Sequence, residues 1–565
     1  MHCGRRLLTS GIRLLCRRQR RLLSVSNHLV KSSLPDVEIP DIPVPDCVWQ
    51  NIDQWPDKVA VECGVTGRRY TYAEIRQLCR RFAASLRRAG LQQGDTLTIV
   101  MPNTAEWPIV LLGAMEAGLV VSTANPHYTA GEITRQLRDS QPKAIVTLSA
   151  ILPTVQEAIK LSGTHPKPLI VIAPGLETAS DIPVGTVDLR QMLQDDVDTS
   201  GVRFTGTIDD IVVLPYSSGT TGLPKGVMLS HRNIVSNLAQ KIGRHEICLC
   251  DPALGSHQDV VPAVLPFYHI YGLTDALLGR LAHGCKVVTL PKFEPKSFFK
   301  LLDQHQATVL YAAPPLVLFL ASHPGVLPKY LQSLRHVFCG AAPLGVLDAE
   351  RFLRRAPPST NILQGSYGMT EASPVIAQMV KGSSKYESVG GPIPNTEMKV
   401  VDLETGSSMA ARQTGEICMR GPQVMKGYFN RPGDTAEIID SEGWLHTGDL
   451  GYYDEEGHFY VVDRLKELIK VKGFQVAPAE LEEILRSHPD IDDAAVVGVP
   501  DDRAGEVPRA FVVPARPGVS EEDVRQFVAA KLSEHKQLKG GVKFLTSIPK
   551  SPSGKILRRE LKGVL

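Results

Sequence analysis

The sequence has no apolar run long enough to cross a lipid bilayer. A membrane-spanning helix needs about 18 consecutive apolar residues, and the best candidate, Ile109 to Ala124, is interrupted by Glu116. We therefore expect no transmembrane segment. Cysteine is also sparse, with ten cysteines among 565 residues. They include one C-x-C pair (Cys248 and Cys250) and no C-x-x-C pair. This pattern provides neither a disulfide scaffold nor a zinc motif, so we expect reduced thiols.

Acidic residues are absent from the first 33 positions, which carry Lys31 and seven arginines: Arg5, Arg6, Arg13, Arg17, Arg18, Arg20 and Arg21. These first 33 residues therefore carry a charge of +8, and since the whole chain has a net charge of +2, the remaining residues carry −6. An acidic body argues against a nucleic-acid partner. Leucines and serines alternate with the arginines, as in mitochondrial transit peptides. We expect a leader over residues 1–35 and a mitochondrial matrix location; the alternative is a disordered basic tail on a cytoplasmic protein. The last residues, 563–565, are not a peroxisomal signal.

The order of helix and strand signals predicts a layered α/β protein. Capping boxes at Thr71/Glu74 and Thr129/Glu132 each begin a predicted helix. Predicted strands follow at Thr96–Met101 and Lys143–Leu148. Such alternation indicates largely parallel sheets covered by helices. Residues 395–462 contain short strands punctuated by glycine, which predicts a β-rich subdomain, and the last hundred residues suffice for a small α+β domain.

A loop rich in glycine and hydroxyl groups follows the apolar strand that begins at Ile211. The loop runs from Tyr216 to Gly226, and its chemistry suits a phosphate, because glycines let backbone N–H groups approach anionic oxygens while hydroxyls and a lysine add donors. The candidate phosphate ligands are Ser217, Ser218, Gly219, Thr220, Thr221, Gly222 and Lys225. A Walker A loop requires glycine immediately before the lysine. Pro224 occupies that position, so a P-loop nucleotidase is excluded.

This loop resembles the phosphate-binding signature of the adenylate-forming enzymes, the superfamily of acyl-CoA synthetases, 4-coumarate–CoA ligases and firefly luciferases. Further segments resemble the family's motifs, in the family's order, over about residues 45–560. They are Leu265 to Gly272, Gly340 to Gly345, Tyr367 to Glu371, Gly443 to Asp449, Asp463 to Gln475 and Pro552 to Lys555. The chain is most similar in these segments to 4-coumarate–CoA ligases and their animal acyl-CoA-ligase relatives.

The resemblance implies a set of ATP- and AMP-binding residues. Tyr367 would stack on adenine, Asp449 with Arg464 would hold the ribose hydroxyls, and Thr370 would contact the α-phosphate. Glu371 would hold Mg²⁺, which prefers carboxylate, phosphate and water oxygens. The remaining nucleotide contacts implied outside the phosphate loop are Gly340, Ala341, Ala342, Gly368, Gln475 and Lys555.

The resemblance also implies an acyl pocket closed by His269. Around the acyl group we expect Ile270, Tyr271, Gly340, Ala341, Gly365, Gly368, Met369 and Val375, a mostly apolar slot for an aryl or medium-length alkyl acid. Two departures from the plant ligases put a simple transfer of their phenylpropanoid pocket in doubt. Ser366 occupies a position where those ligases have glycine, and Ser373 replaces a glycine after the Glu371 motif.

The domain organisation implied by the resemblance is an AMP-binding domain at 40–463, a hinge at 464–466 that includes Lys466, and a mobile domain at 467–565. Lys555 would bridge the carboxylate and the α-phosphate during adenylation. Rotation of the mobile domain would then bring Lys470 to the site, with Lys472, Gly473 and Phe474 toward CoA. The implied catalytic residues are therefore Lys555, Lys470, Thr370 and His269.

We expect an AMP-forming acid–CoA ligase that uses ATP, Mg²⁺ and CoA on a small carboxylic acid, with fatty acid metabolism as one setting. An amino-acid adenylation module would usually carry an aspartate near Phe267 to Ile270, and this sequence has none there. Two alternatives remain open: a luciferase-like monooxygenase, and a nucleotide-binding regulator without turnover. The sequence leaves the particular acid and the choice between monomer and homodimer undetermined.

Overall fold

A computed structural model describes residues 28–173, 183–194, 196–217, 224–342, 344–364, 366–472, 474–551 and 554–563. Within these ranges the chain is a mixed α/β protein with several sheets, as the alternating pattern predicts. In the described residues, no helix combines the length and apolar character needed to cross a membrane.

The largest sheet has eight strands and lies at the centre of the main hydrophobic core. In spatial order its strands are Gly427–Tyr428, Lys225–Ser230, Ile211–Ser217, Val120–Ala124, Thr96–Val100, Ala144–Leu148, Leu169–Ile172 and Val187–Asp188. The six from Ile211–Ser217 onward pair in parallel. The surrounding helices are Val44–Trp49, Tyr72–Arg88, Trp107–Glu116, Ala130–Ser140, Leu152–Ser162, Leu189–Met192 and His231–Ile242.

The two predicted capping boxes are present. Thr71 accepts a hydrogen bond from the Glu74 N–H, and the Glu74 carboxylate accepts one from the Thr71 N–H; Thr129 and Glu132 are bonded in the same reciprocal way. Each box satisfies two backbone donors that would otherwise lack partners at a helix start. The helices Tyr72–Arg88 and Ala130–Ser140 therefore begin where the sequence predicts.

A second α/β region holds two further sheets. One contains Val260–Ala263, Lys286–Thr289, Val59–Cys63 and Arg69–Thr71; the other is parallel and contains Val309–Ala312, His336–Cys339 and Asn361–Gln364. Its α-helices are Gly279–Leu281, Pro295–His305, Pro314–Ser322 and Val346–Leu353, and Tyr271–Leu278 is a π-helix. π-Helices are rare and occur often at functional sites.

The β-rich region predicted near residues 395–462 is present. A five-stranded sheet contains Val30–Lys31, Glu397–Val401, Gly415–Arg420, Leu445–Tyr453 and Phe459–Arg464, and a small sheet contains Ser366–Gly368, Val375–Gln378 and Gly391–Pro392. Helix Pro432–Ile438 adjoins them. Val30 is buried and pairs with Met398. The folded chain therefore begins before residue 35, the predicted end of the leader, because this strand completes the edge of the sheet.

The C-terminal region has a hydrophobic core of its own, built from residues between Ile469 and Leu561. Its sheet contains Ile469–Val471, Phe474–Val476, Ile491–Asp501, Gly505–Pro514 and Val542–Phe544, packed by helices Pro478–Arg486, Glu521–Ala529 and Arg558–Lys562. Short 3₁₀ helices occur along the whole chain at Ile52–Gln54, Pro328–Tyr330, Thr370–Ala372, Leu465–Glu467 and Glu534–Lys536. A separate core is the property that a mobile lobe requires.

Candidate active site

A carboxylate, a phenol and a guanidinium meet where two β-regions adjoin. The Tyr367 hydroxyl donates to Asp449 Oδ2 at 2.7 Å, and Arg464 Nε lies 3.4 Å from Asp449 Oδ1. Asp449 and Arg464 face each other across paired strands, which explains their approach. Burial raises the pKa of Asp449, while Arg464 and then the Tyr367 hydrogen bond act in the opposite direction. The structure thus brings together the three residues that the resemblance places around adenine and ribose.

The Glu371 carboxylate lies next to Ser217, the first of the predicted phosphate ligands. Its Oε1 accepts hydrogen bonds from Ser217 Oγ at 3.0 Å and from the Tyr428 hydroxyl at 2.8 Å, and the residue is buried. Thr370 precedes it in the 3₁₀ turn. A buried carboxylate next to a loop suited to phosphate is the oxygen donor that Mg²⁺ prefers, so these residues fit that ion.

The structure describes the two ends of the predicted phosphate loop. Ser218, Gly219, Thr220, Thr221 and Gly222 lie outside the described residues. Ser217 and Lys225 flank the loop and are directly opposite in the antiparallel pair of strands. Lys225 is buried, and its ammonium binds Asp434 at 2.9 Å and lies 4.9 Å from the centre of the Tyr428 ring. Lys225 therefore lies at the end of the predicted phosphate loop, and in this structure its ammonium forms an ion pair with Asp434 of helix Pro432–Ile438.

Lys555 approaches this group from the C-terminal lobe. Burial, followed by the positive charge of Arg464, lowers the pKa of Lys555 to about 8, while Asp449 and Glu371 act in the opposite direction. The loop that carries it docks on the larger domain, since a Cβ added at Gly554 would lie 2.9 Å from Pro315 Cδ. The ammonium therefore lies within electrostatic reach of both carboxylates of the nucleotide site.

Two ion pairs anchor the Lys555 loop to its lobe. Arg558 Nε donates to Glu467 at 2.8 Å, and Arg558 Nη1 donates to Glu482 at 2.5 Å. The Lys555 N–H donates to Ser551 Oγ at 3.1 Å, which closes the loop upon itself. Pro552 and Ser553 lie outside the described residues. These contacts of Lys555 and Arg558 tie the segment that carries the lysine to the C-terminal lobe.

His269, the predicted acyl-pocket residue, lies near Lys555. Burial, then the positive charge of Lys555, lowers the pKa of His269 to about 4, so its imidazole is neutral at physiological pH. Its Nδ1 accepts a hydrogen bond from the Tyr271 N–H at 3.4 Å. The histidine therefore lies between Lys555 and the start of the π-helix.

Tyr271, Tyr311 and Phe338 pack together in a buried aromatic cluster that we call the aryl wall. Tyr271 contacts both other rings, with centroid distances of 6.4 and 6.5 Å, and its hydroxyl donates to the Phe338 carbonyl at 3.2 Å. Ala341 packs against the same cluster. Gly340, Ala341 and Ala342 directly follow strand His336–Cys339, at the carboxyl edge of a parallel sheet, where ligands of α/β folds usually bind.

The other acyl candidates are more dispersed. Ile270 belongs to the main core, Met369 packs in the cluster that includes Tyr367, and Val375 is fully buried with Ile247 and Ile393. A side chain at Gly368 would collide with the Pro374 carbonyl, so glycine is required there. Gly365 lies outside the described residues.

Four residues near the site were not predicted from the sequence. Of the aryl wall only Tyr271 was predicted, because Tyr311 and Phe338 resemble ordinary strand residues. Tyr428 and Asp434 were not predicted either, because no motif in the sequence around them indicates their contacts with Glu371 and Lys225.

The residues predicted for the CoA step form a separate group on the C-terminal lobe. Lys470 pairs with Gln475 across two short strands, and both side chains are exposed. Phe474 is 57% exposed and stacks on His535 at 4.6 Å. Lys472 is at the turn, with a φ of +49°, and Gly473 lies outside the described residues. Lys466 is in the 3₁₀ turn Leu465–Glu467 that leads into the lobe. This group is distinct from the one around Lys555.

The site thus combines a place for a nucleotide, a neutral histidine beside an apolar wall, and a lysine supplied by a second domain. The sequence model of the AMP-binding enzyme family matches residues 48–429, and that of the AMP-binding enzyme C-terminal domain matches residues 480–555. The chain belongs to the AMP-binding enzyme family.

Among its relatives, 4-coumarate–CoA ligase 1 of Arabidopsis thaliana is 40% identical over 550 residues, which are 96% of each chain. 4-Coumarate–CoA ligase of Pinus taeda is 41% identical over 545 residues, which are 95% of this chain and 98% of that one. ATP-bound MatB from Rhodopseudomonas palustris has a similar structure, with a TM-score of 0.81 and 27% identity over 93% of this chain and 99% of MatB. A benzoate CoA ligase from Burkholderia xenovorans LB400 gives a TM-score of 0.79 at 25% identity, over 92% of this chain and 99% of the ligase.

The activity follows from this membership. The chain activates a carboxylic acid with ATP, forming acyl-AMP and pyrophosphate, and transfers the acyl group to CoA with release of AMP. ATP and CoA are its co-substrates. The luciferase-like and non-catalytic alternatives gain no support from these relatives.

Proposed function

We propose that the acid is an aryl or hydroxycinnamate-like acid or a medium-chain fatty acid. The observation that carries this proposal is the aromatic surroundings of His269: Tyr271 donates its N–H to His269, and the Tyr271 ring packs with the buried rings of Tyr311 and Phe338. The names of the plant relatives point to the same class. Ser366, which departs from the plant pattern, makes the phenylpropanoid acids one option within the class.

The experiment is a screen of short, medium, long and aryl acids, with pyrophosphate release and acyl-CoA formation measured in parallel. We expect kcat/KM for aryl or medium-chain acids to exceed that for acetate by at least about tenfold, as differences in apolar contact allow. Acetate as the best substrate would contradict the proposal. Omission of CoA should leave one equivalent of acyl-AMP on the enzyme.

The residue roles that we propose follow the geometry of the site. Lys555 neutralises charge that accumulates between the carboxylate and the α-phosphate, Thr370 and the phosphate loop orient the phosphates, and Asp449 accepts hydrogen bonds from the ribose hydroxyls. Tyr367 supports the adenine and Gln475 contacts the phosphate region. His269 borders the carboxyl group of the acid, and its neutral imidazole adds no charge that would compete with Lys555.

The second step requires a different face of the C-terminal lobe. We propose that residues 467–565 rotate about the hinge at 464–466, so that Lys470 replaces Lys555 and the turn at Lys472–Phe474 meets CoA. The separate core of the lobe and the exposure of Lys470 and Gln475 support this proposal. Rotation lets one pocket serve two reactions while the mixed anhydride stays shielded from water.

We propose that Mg²⁺ binds at Glu371, where it would neutralise phosphate charge. Glu371→Gln keeps an oxygen that can accept the Ser217 and Tyr428 hydrogen bonds but removes the charge. We expect ATP affinity measured by calorimetry to fall by about tenfold or more in Mg²⁺, and to change little in EDTA. Glu437→Gln, an exposed acid on helix Pro432–Ile438, is the control. Equal affinity of Glu371→Gln and the parent chain in Mg²⁺ would exclude this site.

The mitochondrial matrix is our proposed location, supported by the arginine-rich, acid-free leader. Deletion of residues 1–27 should abolish import into isolated mitochondria while the purified protein keeps its activity. Deletion of residues 1–33 also removes strand Val30–Lys31 and the Lys31–Glu397 ion pair, so the melting temperature should fall relative to the shorter deletion. Import of the chain that lacks residues 1–27 would overturn the leader assignment.

The pKa of Lys555 predicts an alkaline limit to adenylation. The ammonium form is the one that attracts the α-phosphate, and the pKa of about 8 in the free enzyme means that this form is lost as the pH rises through 8. We therefore expect kcat/KM for ATP in pyrophosphate exchange to decline above about pH 8. Lys555→Arg stays protonated, so its profile should remain flat at a lower level. A constant kcat/KM up to pH 10 in the parent chain would contradict the assignment.

A further inference from the structure

Three side chains that can bind a metal ion meet on one face of the five-stranded sheet. Glu416 and Cys418 are two positions apart on strand Gly415–Arg420, the spacing that puts side chains on the same face. His446, on the neighbouring strand Leu445–Tyr453, pairs directly with Cys418. One possible ligand atom from each residue lies within 4.8 Å of the other two. We call these three residues the cross-strand cluster.

The spacing of the three atoms suits a tetrahedral ion. Cys418 Sγ lies 3.5 Å from His446 Nδ1, and Glu416 Oε2 lies 2.8 Å from the same nitrogen. Around zinc, bonds of about 2.3 Å to sulfur and about 2.0–2.1 Å to nitrogen separate these two ligands by about 3.5–3.6 Å. The carboxylate oxygen needs to withdraw by about half an ångström to reach the same geometry. A proton on Nδ1 can point at only one of its two neighbours, whereas one cation bonds to all three atoms.

Two residues outside the cluster hold its ligands as outer partners of a metal site do. The Gly448 N–H donates to Glu416 Oε1 at 3.0 Å, and the Asp440 carboxylate lies 3.7 Å from His446 Nε2. Histidines that bind metals through one ring nitrogen usually present the other to a carboxylate, which fixes the tautomer and the orientation of the ring. The position of Asp440 is therefore an indication of metal binding that is independent of the three ligands themselves.

Two further groups in the described residues combine a histidine with carboxylates, and a basic side chain already occupies each of them. The first group comprises Asp251, His257 and Asp259, and the second comprises Asp454, Glu456 and His458. Arg335 binds both aspartates of the first group, at 2.8 and 2.5 Å, and Lys385 binds both acids of the second. Within the described part of the chain, the ion pairs of Glu416 and Asp440 involve only His446.

The cross-strand cluster can be reached from solvent without opening the fold. Cys418 is fully buried, but the side chains of Glu416 and His446 are 15% and 32% exposed. An ion therefore approaches beside the imidazole and meets the thiol last. This arrangement, with a buried sulfur below two partly exposed ligands, leaves room for water on the outer side of the ion.

We propose that Glu416, Cys418 and His446 bind a divalent cation of the zinc class, with water in the fourth position. The Cys418 S–H bond breaks as the sulfur–metal bond forms, and its proton passes to solvent. Thiolate and imidazole ligands favour Zn²⁺ over Mg²⁺, so this site is separate from the Mg²⁺ site proposed at Glu371. His446 is 28 positions from Cys418 and 30 from Glu416, so the ion binds only the folded sheet and stabilises it.

The first test uses the unaltered full-length chain, treated with EDTA, dialysed, and kept free of ATP and Mg²⁺. One equivalent of Co²⁺ should give a tetrahedral spectrum with a sulfur-to-cobalt charge-transfer band in the near ultraviolet, and Zn²⁺ should displace it. X-ray absorption of the chain with one equivalent of Zn²⁺ should show one sulfur at about 2.3 Å and nitrogen or oxygen at about 2.0–2.2 Å. A zinc shell without sulfur would overturn the proposal.

The second test assigns the ion to these residues. Cys418→Ser and His446→Gln should each weaken Zn²⁺ binding, measured by calorimetry, by about 10²-fold or more, and Asp440→Asn should weaken it by about tenfold. Cys248→Ser is the matched control, because Cys248 is also buried and lies 3.6 Å from His283 Nε2. Zn²⁺ should raise the melting temperature of the parent and of this control, but not of Cys418→Ser. Loss of the cobalt band in Cys248→Ser, or its retention in Cys418→Ser, would contradict the proposal.

Discussion

Lys555→Ala should lower acid-dependent pyrophosphate–ATP exchange by about 10²–10³-fold, the loss expected when one preorganised charge is removed from a developing anion. In the structure the Lys555 ammonium lies in the field of Asp449, Glu371 and Arg464, which define the nucleotide end of the site. Alanine removes the charge without adding bulk to the docked loop.

The same variant should still convert presynthesised acyl-AMP and CoA to acyl-CoA within about threefold of the parent rate, because Lys470 is proposed to serve that step. Both half-reactions are measured on one preparation by quenched flow. Lys539→Ala, which removes an exposed lysine of the same lobe paired with Glu534, is the matched control and should leave both steps unchanged. An equal loss in both steps would refute the division of roles.

Lys470→Ala should give the opposite result. Pyrophosphate–ATP exchange should stay near the parent rate, and the reaction of acyl-AMP with CoA should fall by about 10²-fold. The reason is that Lys470 lies exposed beside Gln475, in a group separate from Lys555. Under the proposed rotation it enters the pocket only for the second step.

The measurement is a single-turnover assay in which acyl-AMP accumulates first and CoA is added second. Lys470→Ala should accumulate acyl-AMP, whereas Lys555→Ala should accumulate none. Lys539→Ala again serves as the control. Fast thioester formation by Lys470→Ala would show that this lysine has no part in the second step.

The sequence predicted the helices and strands that are determined by interactions between residues close together in the chain. The capping boxes at Thr71 and Thr129 begin helices because their hydrogen bonds join residues three apart. The strand predicted at Thr96–Met101 forms as Thr96–Val100, and the one predicted at Lys143–Leu148 forms as Ala144–Leu148. Each observed strand differs from its prediction by one residue at one end.

Contacts between distant parts of the chain left no local signal. Val30–Lys31 joins the β-rich sheet through Met398 and Glu397, more than 350 positions away, so the fold begins earlier than the charge pattern suggests. Lys225 pairs with Asp434, and Tyr428 donates to Glu371, although neither Asp434 nor Tyr428 belongs to a recognisable motif. The apposition of Tyr367, Asp449 and Arg464 was anticipated only through the family resemblance.

The most direct test of the account is a reversible lock on the C-terminal lobe. A Cβ at Gly554 would lie 3.2 Å from the Ala313 Cβ and 2.9 Å from Pro315 Cδ, so a shift of a few tenths of an ångström that relieves the Pro315 contact brings the two Cβ atoms to the spacing of a disulfide, about 3.5–4.5 Å. Ala313→Cys with Gly554→Cys should therefore crosslink when oxidised. Gly554→Cys alone is the control, because Gly554 has a φ of +82° and a side chain there costs about 1–2 kcal/mol.

The oxidised double variant should form acyl-AMP and pyrophosphate once per active site and make no acyl-CoA when CoA is added. Reduction should restore acyl-CoA formation to the rate of Gly554→Cys alone. This result is predicted if the Lys555 loop must leave the pocket before sulfur attacks. Acyl-CoA formation by the crosslinked protein at the unlocked rate would contradict the rotation of the lobe and, with it, the use of two lysines in turn.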